Sequence, residues 1–281
     1  MPDSTGIEPG SEFVSSVATR ILRRAGKYAD EVNDFVEGVG VELTLLDSFN
    51  AQVESVVYTF EPPTARRRGD SLVFASIYRA AKDFPTLEAD RHVPAELIAA
   101  LLAAEVEFRG PLRLSRTQTT LLAEVYERLG ASFVGLGLPG HAVLSYRRAS
   151  FLHRANEDTD AEDRCGLRLA RARTSALPPG WRRWGPQLSD LLCGYGYQPF
   201  RLLGFIAVQL VVFTAILLLF AAQPVTETVY LSVTSYLNPA GVGDTVSSGP
   251  GGRTMLAVES WAGAVTMSVF FALLVRKWFR M

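Results

Sequence analysis

Two long apolar segments in the C-terminal part of the chain restrict its fold more than any other feature. Residues 202–222 carry no charge, and residues 255–275 have the same length and one charged side chain, Glu259. A helix of this length rises about 31 Å, which matches the hydrocarbon core of a bilayer, about 30 Å thick. Apolar runs this long are rare in soluble folds. Both segments are therefore predicted to be transmembrane helices.

Basic residues flank the two segments at their outer ends. The connection between them, residues 223–254, contains one basic residue, Arg253. The flanking basic residues are Arg182, Arg183 and Arg201 before the first segment and Arg276, Lys277 and Arg280 after the second. Because positive residues mark the cytoplasmic side, both chain ends are predicted to be cytoplasmic. The chain is thus predicted to be a multi-pass protein of the cell membrane.

Composition and motifs exclude several other classes. The formal net charge of −1 argues against a nucleic-acid binder. Two distant cysteines, Cys165 and Cys193, form neither a disulfide framework nor a zinc site and fit a reducing compartment. The polar N-terminus lacks a signal-peptide pattern. HExxH, GxSxG and phosphate-loop motifs are absent, so neither an enzyme nor a cofactor is predicted.

The connection has the layout of a re-entrant pore loop, predicted over 225–246. A short helix is predicted over 225–237, and Pro239 ends it before a segment that contains Gly241 and Gly243. The C-terminal end of a helix carries partial negative charge and favours a cation. Glycines allow backbone carbonyls to point at an ion and replace its hydration shell.

The sequence Gly-Val-Gly-Asp at 241–244, between two spans, resembles the selectivity filter of the potassium-channel superfamily. Residues 257–264, with Glu259 and Gly263, resemble the start of the inner helix of bacterial two-span channels. Residues 146–174 and 191–203 are similar to the segments that precede the pore module of pentapeptide-repeat-containing ion channels. The polar and aromatic pore-helix positions of the family are matched by Tyr230, Ser232, Thr234 and Ser235.

This resemblance covers residues 146–281 and implies a homotetramer in the lipid bilayer that conducts monovalent cations passively, potassium first. The resemblance also implies that the backbone carbonyls of the filter bind the permeant cation and that no cofactor is needed besides this cation. Gly263 is implied as a hinge or as a site of close helix packing. The implied site residues are Ala240, Gly241, Val242 and Gly243 in the filter, Asp244 at the pore mouth and Glu259 as filter support.

The filter departs from the family pattern, and a second function therefore stays open. Pro239 and Ala240 replace the usual Thr-Val, and Val242 replaces an aromatic residue. Proline has a fixed φ and no N–H, so the inner half of the filter must be built differently. The alternative function is a non-conducting, membrane-anchored signalling or scaffold protein with a degenerate pore loop.

The region before the spans is predicted to be a cytoplasmic domain of mixed α/β structure, at 15–145. It is expected to regulate or assemble the pore and to offer a surface for a small ligand. A β-rich run is assigned to 39–63, a strand or a buried turn to 131–140, and an amphipathic helix to 93–108. The remaining predicted parts are a disordered tail at 1–14, a helix at 117–131 that ends at Gly130, a helical linker with an interfacial helix at 146–200, and the pore domain at 201–281.

Overall fold

The computed structural model describes residues 9–37, 42–60, 71–82, 92–111, 113–220, 224–238 and 249–279. Contacts divide the chain into two compact units, Met1–Pro178 and Pro179–Met281. The helices of the first unit are α1 (Pro9–Glu37), α2 (Glu42–Val57), α3 (Ala75–Lys82), α4 (Ala95–Arg109), α5 (Arg116–Gly135), α6 (Pro139–Ala155) and α7 (Thr159–Ala176). Those of the second are α8 (Trp184–Cys193), α9 (Pro199–Phe220), α10 (Val225–Leu237) and α11 (Gly249–Trp278).

The predicted mixed α/β fold of the N-terminal domain is wrong. Across the described ranges the regular structure is helical and contains no strand. Most of the run assigned to strands at 39–63 forms α2, in which Leu45, Phe49 and Val53 are buried at intervals of four residues. This spacing places them on one helical face, so burial of that face overrides the β-propensity of the valines.

Helix α4 is the centre of the first unit. Every residue from Leu97 to Glu107 is buried, and α1, α2, α3 and α5 all pack against the helix. The helix predicted at 93–108 is present, but its amphipathic pattern is wrong, since α4 is buried on all sides and not on one face alone. Its alanines let the surrounding helices approach closely.

Two predicted boundaries in the first unit also differ from the structure. Helix α5 continues through Gly130 to Gly135 because the ring of Tyr146 lies against Gly130, where a Cβ would be 2.8 Å from Tyr146 Cε1. The predicted disordered tail extends too far, because α1 begins at Pro9 and the ring of Phe13 lies 5.9 Å from that of Phe60.

A buried carboxylate fixes three helices of the first unit to one another. Glu105 on α4 is fully buried and accepts hydrogen bonds from Arg109 Nε at 2.7 Å and Arg148 Nε at 2.8 Å. It also accepts from the hydroxyl of Tyr126 on α5 at 3.0 Å. Burial lowers the pKa of Arg148, but the hydrogen bond and charge of Glu105 outweigh that effect and raise it. Polar groups inside this unit are therefore paired.

In the second unit, α9, α10 and α11 pack against one another in pairs. Two segments are long and apolar enough to cross a membrane, Pro199–Leu219 and Gly251–Trp278. Only 11% and 22% of their apolar windows are buried within the chain, so neither has the burial of a core helix. The short helix predicted at 225–237 is confirmed as α10, with the same bounds.

Candidate functional site

Helix α10 packs with its polar side inward. Its exposed side carries Val225, Val229, Tyr230 and Leu237, of which Tyr230 is 71% exposed, and also Thr226 and Glu227 in the first turn. The buried side carries Thr228, Ser232, Ser235 and Tyr236. A short helix in a water-soluble domain buries its apolar side, so α10 has the reverse arrangement. Small hydroxyl side chains facing neighbouring helices are typical of packing inside a membrane.

The first polar contact joins all three helices around Glu259. Ser232 Oγ of α10 donates to Glu259 Oε1 of α11 at 2.5 Å and lies 2.8 Å from Thr214 Oγ1 of α9. The Glu259 side chain is fully buried. Its second oxygen, Oε2, has no hydrogen-bond partner among the residues that the structure describes. One carboxyl oxygen of Glu259 thus binds α10, and the other makes no hydrogen bond within the described residues.

A second set of contacts lies one turn further along α10. Ser235 Oγ lies 2.6 Å from Ser260 Oγ and 3.2 Å from the carbonyl oxygen of Leu256. The Tyr236 hydroxyl donates to Gln209 Oε1 of α9 at 3.0 Å, and Thr266 of α11 bonds to the same oxygen at 3.4 Å. We call the side chains of Gln209, Thr214, Ser232, Ser235, Tyr236, Glu259, Ser260 and Thr266 the polar cluster.

Gly263 of α11 lies directly against the backbone of α10. A Cβ built at Gly263 would overlap the carbonyl oxygen of Tyr236 and lie 3.1 Å from its carbonyl carbon. Only glycine allows α11 to contact the last turn of α10 at this distance. Helix α11 is continuous through this residue. Of the two roles inferred from the sequence, the geometry supports close packing.

The predicted filter falls outside the described residues. This concerns Ala240, Gly241, Val242 and Gly243, together with Asp244 at the predicted mouth. Of the predicted site residues, the structure places Glu259 and Gly263, and both contact α10. Sequence reasoning did not assign Gln209, Ser260 or Thr266 to the site. The available signal was their polarity within apolar helices, where such residues usually hydrogen-bond to neighbouring helices.

The C-terminal end of α11 lies against the turn that precedes α9. The guanidinium of Arg276 lies 5.6 Å from the ring centre of Tyr197, and Lys277 Nζ lies 5.3 Å from that of Phe200. The Gly-Tyr-Gly sequence at 194–196, interpreted from the sequence as a turn, is confirmed as a short 3-10 helix with positive φ at each residue. This turn brings the beginning of one long helix to the end of the other.

The segment before this turn exposes large apolar side chains. Trp181 is 82% and Trp184 is 77% exposed, and Leu188 and Leu191 are also exposed. These four residues share one face of α8 and of the 3-10 turn before it. Tryptophans at such a face are typical of a helix at a membrane interface.

The first unit contains a buried chain of polar side chains that resembles a catalytic triad. Tyr28 Oη lies 2.7 Å from His141 Nε2, and His141 Nδ1 lies 2.8 Å from Glu42 Oε1. The Tyr28 hydroxyl also donates to the carbonyl oxygen of Leu45 at 2.8 Å, so the three side chains form one connected network.

The linked side chains of Tyr28, His141 and Glu42 cannot serve as a nucleophile and its base. Tyr28 is fully buried, and burial raises its pKa far above the ordinary range. Burial alone would raise the pKa of Glu42, but hydrogen bonds from His141 and from the amides of Gly140 and His141 lower it. Glu42 thus caps α6 and ties α2 to it.

No cluster of His, Cys, Asp or Glu with metal-site geometry occurs within the described ranges. Neither family models, curated proteins nor solved structures gave a match to this chain. The functional argument therefore proceeds from the geometry of the second unit.

Proposed function

We propose that the chain is one subunit of a homotetrameric cation channel of the potassium-channel type, in which α9 and α11 cross the membrane and α10 is the pore helix. The observation that carries this proposal is the reversed packing of α10 beyond its first turn, with hydroxyl side chains inward and apolar side chains outward. A helix of this kind is stable where its outer side meets lipid or apolar protein.

The length of α10 supports insertion from one side. Its 13 residues rise about 20 Å, too short to cross a hydrocarbon core of about 30 Å. Both its neighbours are long enough to cross. A re-entrant pore loop requires a short helix between two long ones. Here α10 is the short helix, and the polar cluster holds it between α9 and α11.

The polar cluster gives the pore helix a fixed position. Ser232 and Ser235 bind α11, while Tyr236 binds α9, so α10 is held from two sides near its C-terminal end. That end carries the partial negative charge that favours a cation. On sequence grounds, the carbonyls of Ala240–Gly243 follow this end and coordinate the ion, and Asp244 shapes the mouth.

Assembly of several copies follows from the need to surround a pore axis. One chain supplies one pore loop, and a filter requires several. The exposed apolar side chains on α10 and α11, including Tyr230, Leu237 and Trp261, provide surface for neighbouring copies and for lipid. Cyclic four-fold symmetry is the arrangement that the family resemblance implies.

The alternative is a non-conducting membrane anchor for a signalling or scaffold unit. It is favoured by Pro239 and Ala240, which replace the Thr-Val of the family filter. It predicts the same helices and the same polar cluster without ion flow, so a flux measurement separates the two functions.

The test uses the full chain in liposomes loaded with potassium chloride, with uptake of radioactive rubidium as the measure of flux. We expect uptake with the wild-type protein, loss of uptake with Gly241→Ala and Gly243→Ala, and no change with Gly204→Ala. Gly204 is the matched control because a Cβ there would meet no atom within 4 Å. Uptake that both filter variants leave unchanged would overturn the proposed ion path. Absence of uptake from correctly assembled wild-type tetramers would favour the anchor.

A further inference from the structure

A cavity between α3 and α5 in the first unit combines positive charge with an apolar wall. Its volume is about 290 Å3, at the lower end of the range for small-molecule sites. Three basic residues line it, Arg79 and Lys82 of α3 and Arg128 of α5. Leu72, Leu121 and Val125 line the remainder together with small or neutral residues.

Two of the positive charges, Lys82 and Arg128, lie together at one end of the cavity. Gln118, in the first turn of α5, bonds to the carbonyl oxygen of Ser71, just before α3, so the two helices begin side by side. Lys82 and Arg128, further along both helices, line a common adjoining cavity with Leu129. The apolar residues Leu72 and Leu121 lie nearer the shared beginning. The cavity therefore has a basic end and an apolar end.

The three cations are uncompensated within the part of the chain that the structure describes. Arg79 and Lys82 make no ion pair there, and Arg128 bonds through Nε to the backbone carbonyl of Glu124. No acidic side chain lines the cavity among the described residues. Like charges grouped around one concavity repel one another, and an anion removes that repulsion.

Helix electrostatics explain only part of this cluster. Arg79 and Lys82 occupy the last turn of α3, where cations offset the partial negative charge of the helix end. Arg128 lies about two turns before the end of α5, where that effect has faded. Its exposed side chain lines the same cavity as those of Arg79 and Lys82 and adds a third positive charge there.

We propose that the α3–α5 cavity binds a small amphiphilic anion, an organic phosphate whose phosphate group contacts Arg79, Lys82 and Arg128 and whose apolar part lies against Leu72, Leu121 and Val125. Arginine binds phosphate oxygens through paired N–H donors, and lysine adds a point charge. The volume admits a group of about the size of phenyl phosphate. This site is independent of ion conduction by the second unit.

The test is isothermal titration of the full chain, in nanodiscs of a neutral lipid, with phenyl phosphate. We expect one saturable site per chain and binding at least about tenfold weaker for Arg79→Gln and Arg128→Gln, since each removes a charged hydrogen-bond donor. Arg147→Gln is the matched control, because Arg147 is an exposed arginine of the same unit that does not line the cavity. Circular dichroism confirms that each variant is folded.

Two further probes test the ligand class. Inorganic phosphate is expected to bind more weakly than phenyl phosphate to the wild-type protein. Leu121→Ala is expected to reduce this difference by weakening phenyl phosphate alone. Competition by nanodiscs that contain phosphatidic acid would identify a lipid headgroup as the source of the phosphate, and its absence would identify a soluble compound.

Absence of saturable phenyl phosphate binding at concentrations on the order of 10 mM would overturn the proposal. Equal binding by wild type, Arg79→Gln and Arg128→Gln would also overturn it, because the cations would then play no part. If inorganic phosphate and phenyl phosphate bound equally well, the amphiphilic class would be wrong.

Discussion

The two units of this chain are built from helices of similar lengths, but they place polar and apolar side chains in opposite ways. In the first unit the interior is apolar, with α4 buried on all sides, and buried charges such as Glu105 are fully paired. In the second unit the interior between α9, α10 and α11 contains the polar cluster, and apolar side chains face outward. The first arrangement suits water as the surrounding medium, and the second suits lipid.

The largest effect is expected in the first unit from Glu105→Ala. This change leaves Arg148, Arg109 and the hydroxyl of Tyr126 without their shared acceptor. Breaking a buried ion pair in this way costs about 3–5 kcal/mol, so we expect the first unit to unfold at a clearly lower denaturant concentration. Arg168→Ala, which removes a half-exposed partner of Glu127, should cost at most about 1 kcal/mol. Similar losses for the two variants would contradict the contrast between paired interior and solvated surface.

In the second unit the strongest effect is expected from Gly263→Ala. The added methyl group overlaps the backbone of Tyr236 and must displace α10 from α11, at a cost of about 1–3 kcal/mol. We expect a lower melting temperature of the assembled protein and reduced rubidium flux. Gly204→Ala, in open space on α9, should change neither. If both variants behaved like wild type, the close contact between these helices would be irrelevant to function.

The pH dependence of the first unit should report on Glu42. Its pKa is lower in the folded chain than its ordinary value, so Glu42 contributes stability at neutral pH. That contribution is present above the ordinary pKa of a glutamate, about 4.3, and is lost as pH falls below it towards the lowered pKa of Glu42. Glu42→Gln should therefore reduce the melting temperature at pH 7 and flatten its decline in acid. A decline as steep as that of wild type would assign the acid sensitivity to other carboxyl groups.

The smallest effect is expected in the chemical labelling of Cys165 and Cys193, and the stability of the protein should stay unchanged. Burial, with the nearby charge of Glu127, raises the pKa of Cys165 to about 12, and the thiol contacts the carbonyl oxygen of Tyr146. Cys193 is only partly buried. Because the thiolate is the reactive form, N-ethylmaleimide should label one thiol of the native protein, and Cys193→Ser should abolish labelling. Equal labelling rates for both cysteines would show that the first unit opens readily.

The sequence predicts the second unit better than the first because its signals are strong and local. Long apolar runs predict α9 and α11, and Pro224 with the periodic residues after it predicts α10 to the residue. In the first unit, the valines and threonine of 42–57 favour strands locally, whereas burial of Leu45, Phe49 and Val53 on one face decides for a helix. That choice depends on tertiary contacts that a single segment does not contain.

Prediction of the candidate site from the sequence is also limited by its dependence on tertiary contacts. Glu259 and Gly263 are identified by resemblance, but their partners are set by the packing of three helices. The face of α10 cannot be assigned from hydrophobic periodicity, because the residues at helical spacing are Tyr230, Val233, Tyr236 and Leu237. Of these, Tyr236 is buried, whereas Tyr230 and Leu237 are exposed. The rule assumes water as the solvent, and α10 follows the reverse pattern expected in lipid.

Insertion of α10 into the membrane is the central claim, and it can be measured with spin labels at Thr226 and Leu237. Both side chains are exposed, at opposite ends of the helix, so the labels should not disturb the polar cluster. Pulsed electron resonance gives the distance from each label to gadolinium-chelating lipid headgroups in nanodiscs. We expect the label at 237 to lie on the order of 10 Å deeper than the label at 226, since the helix rises about 16 Å between them. Equal depths, or both labels at the distance of bulk solvent, would contradict the account.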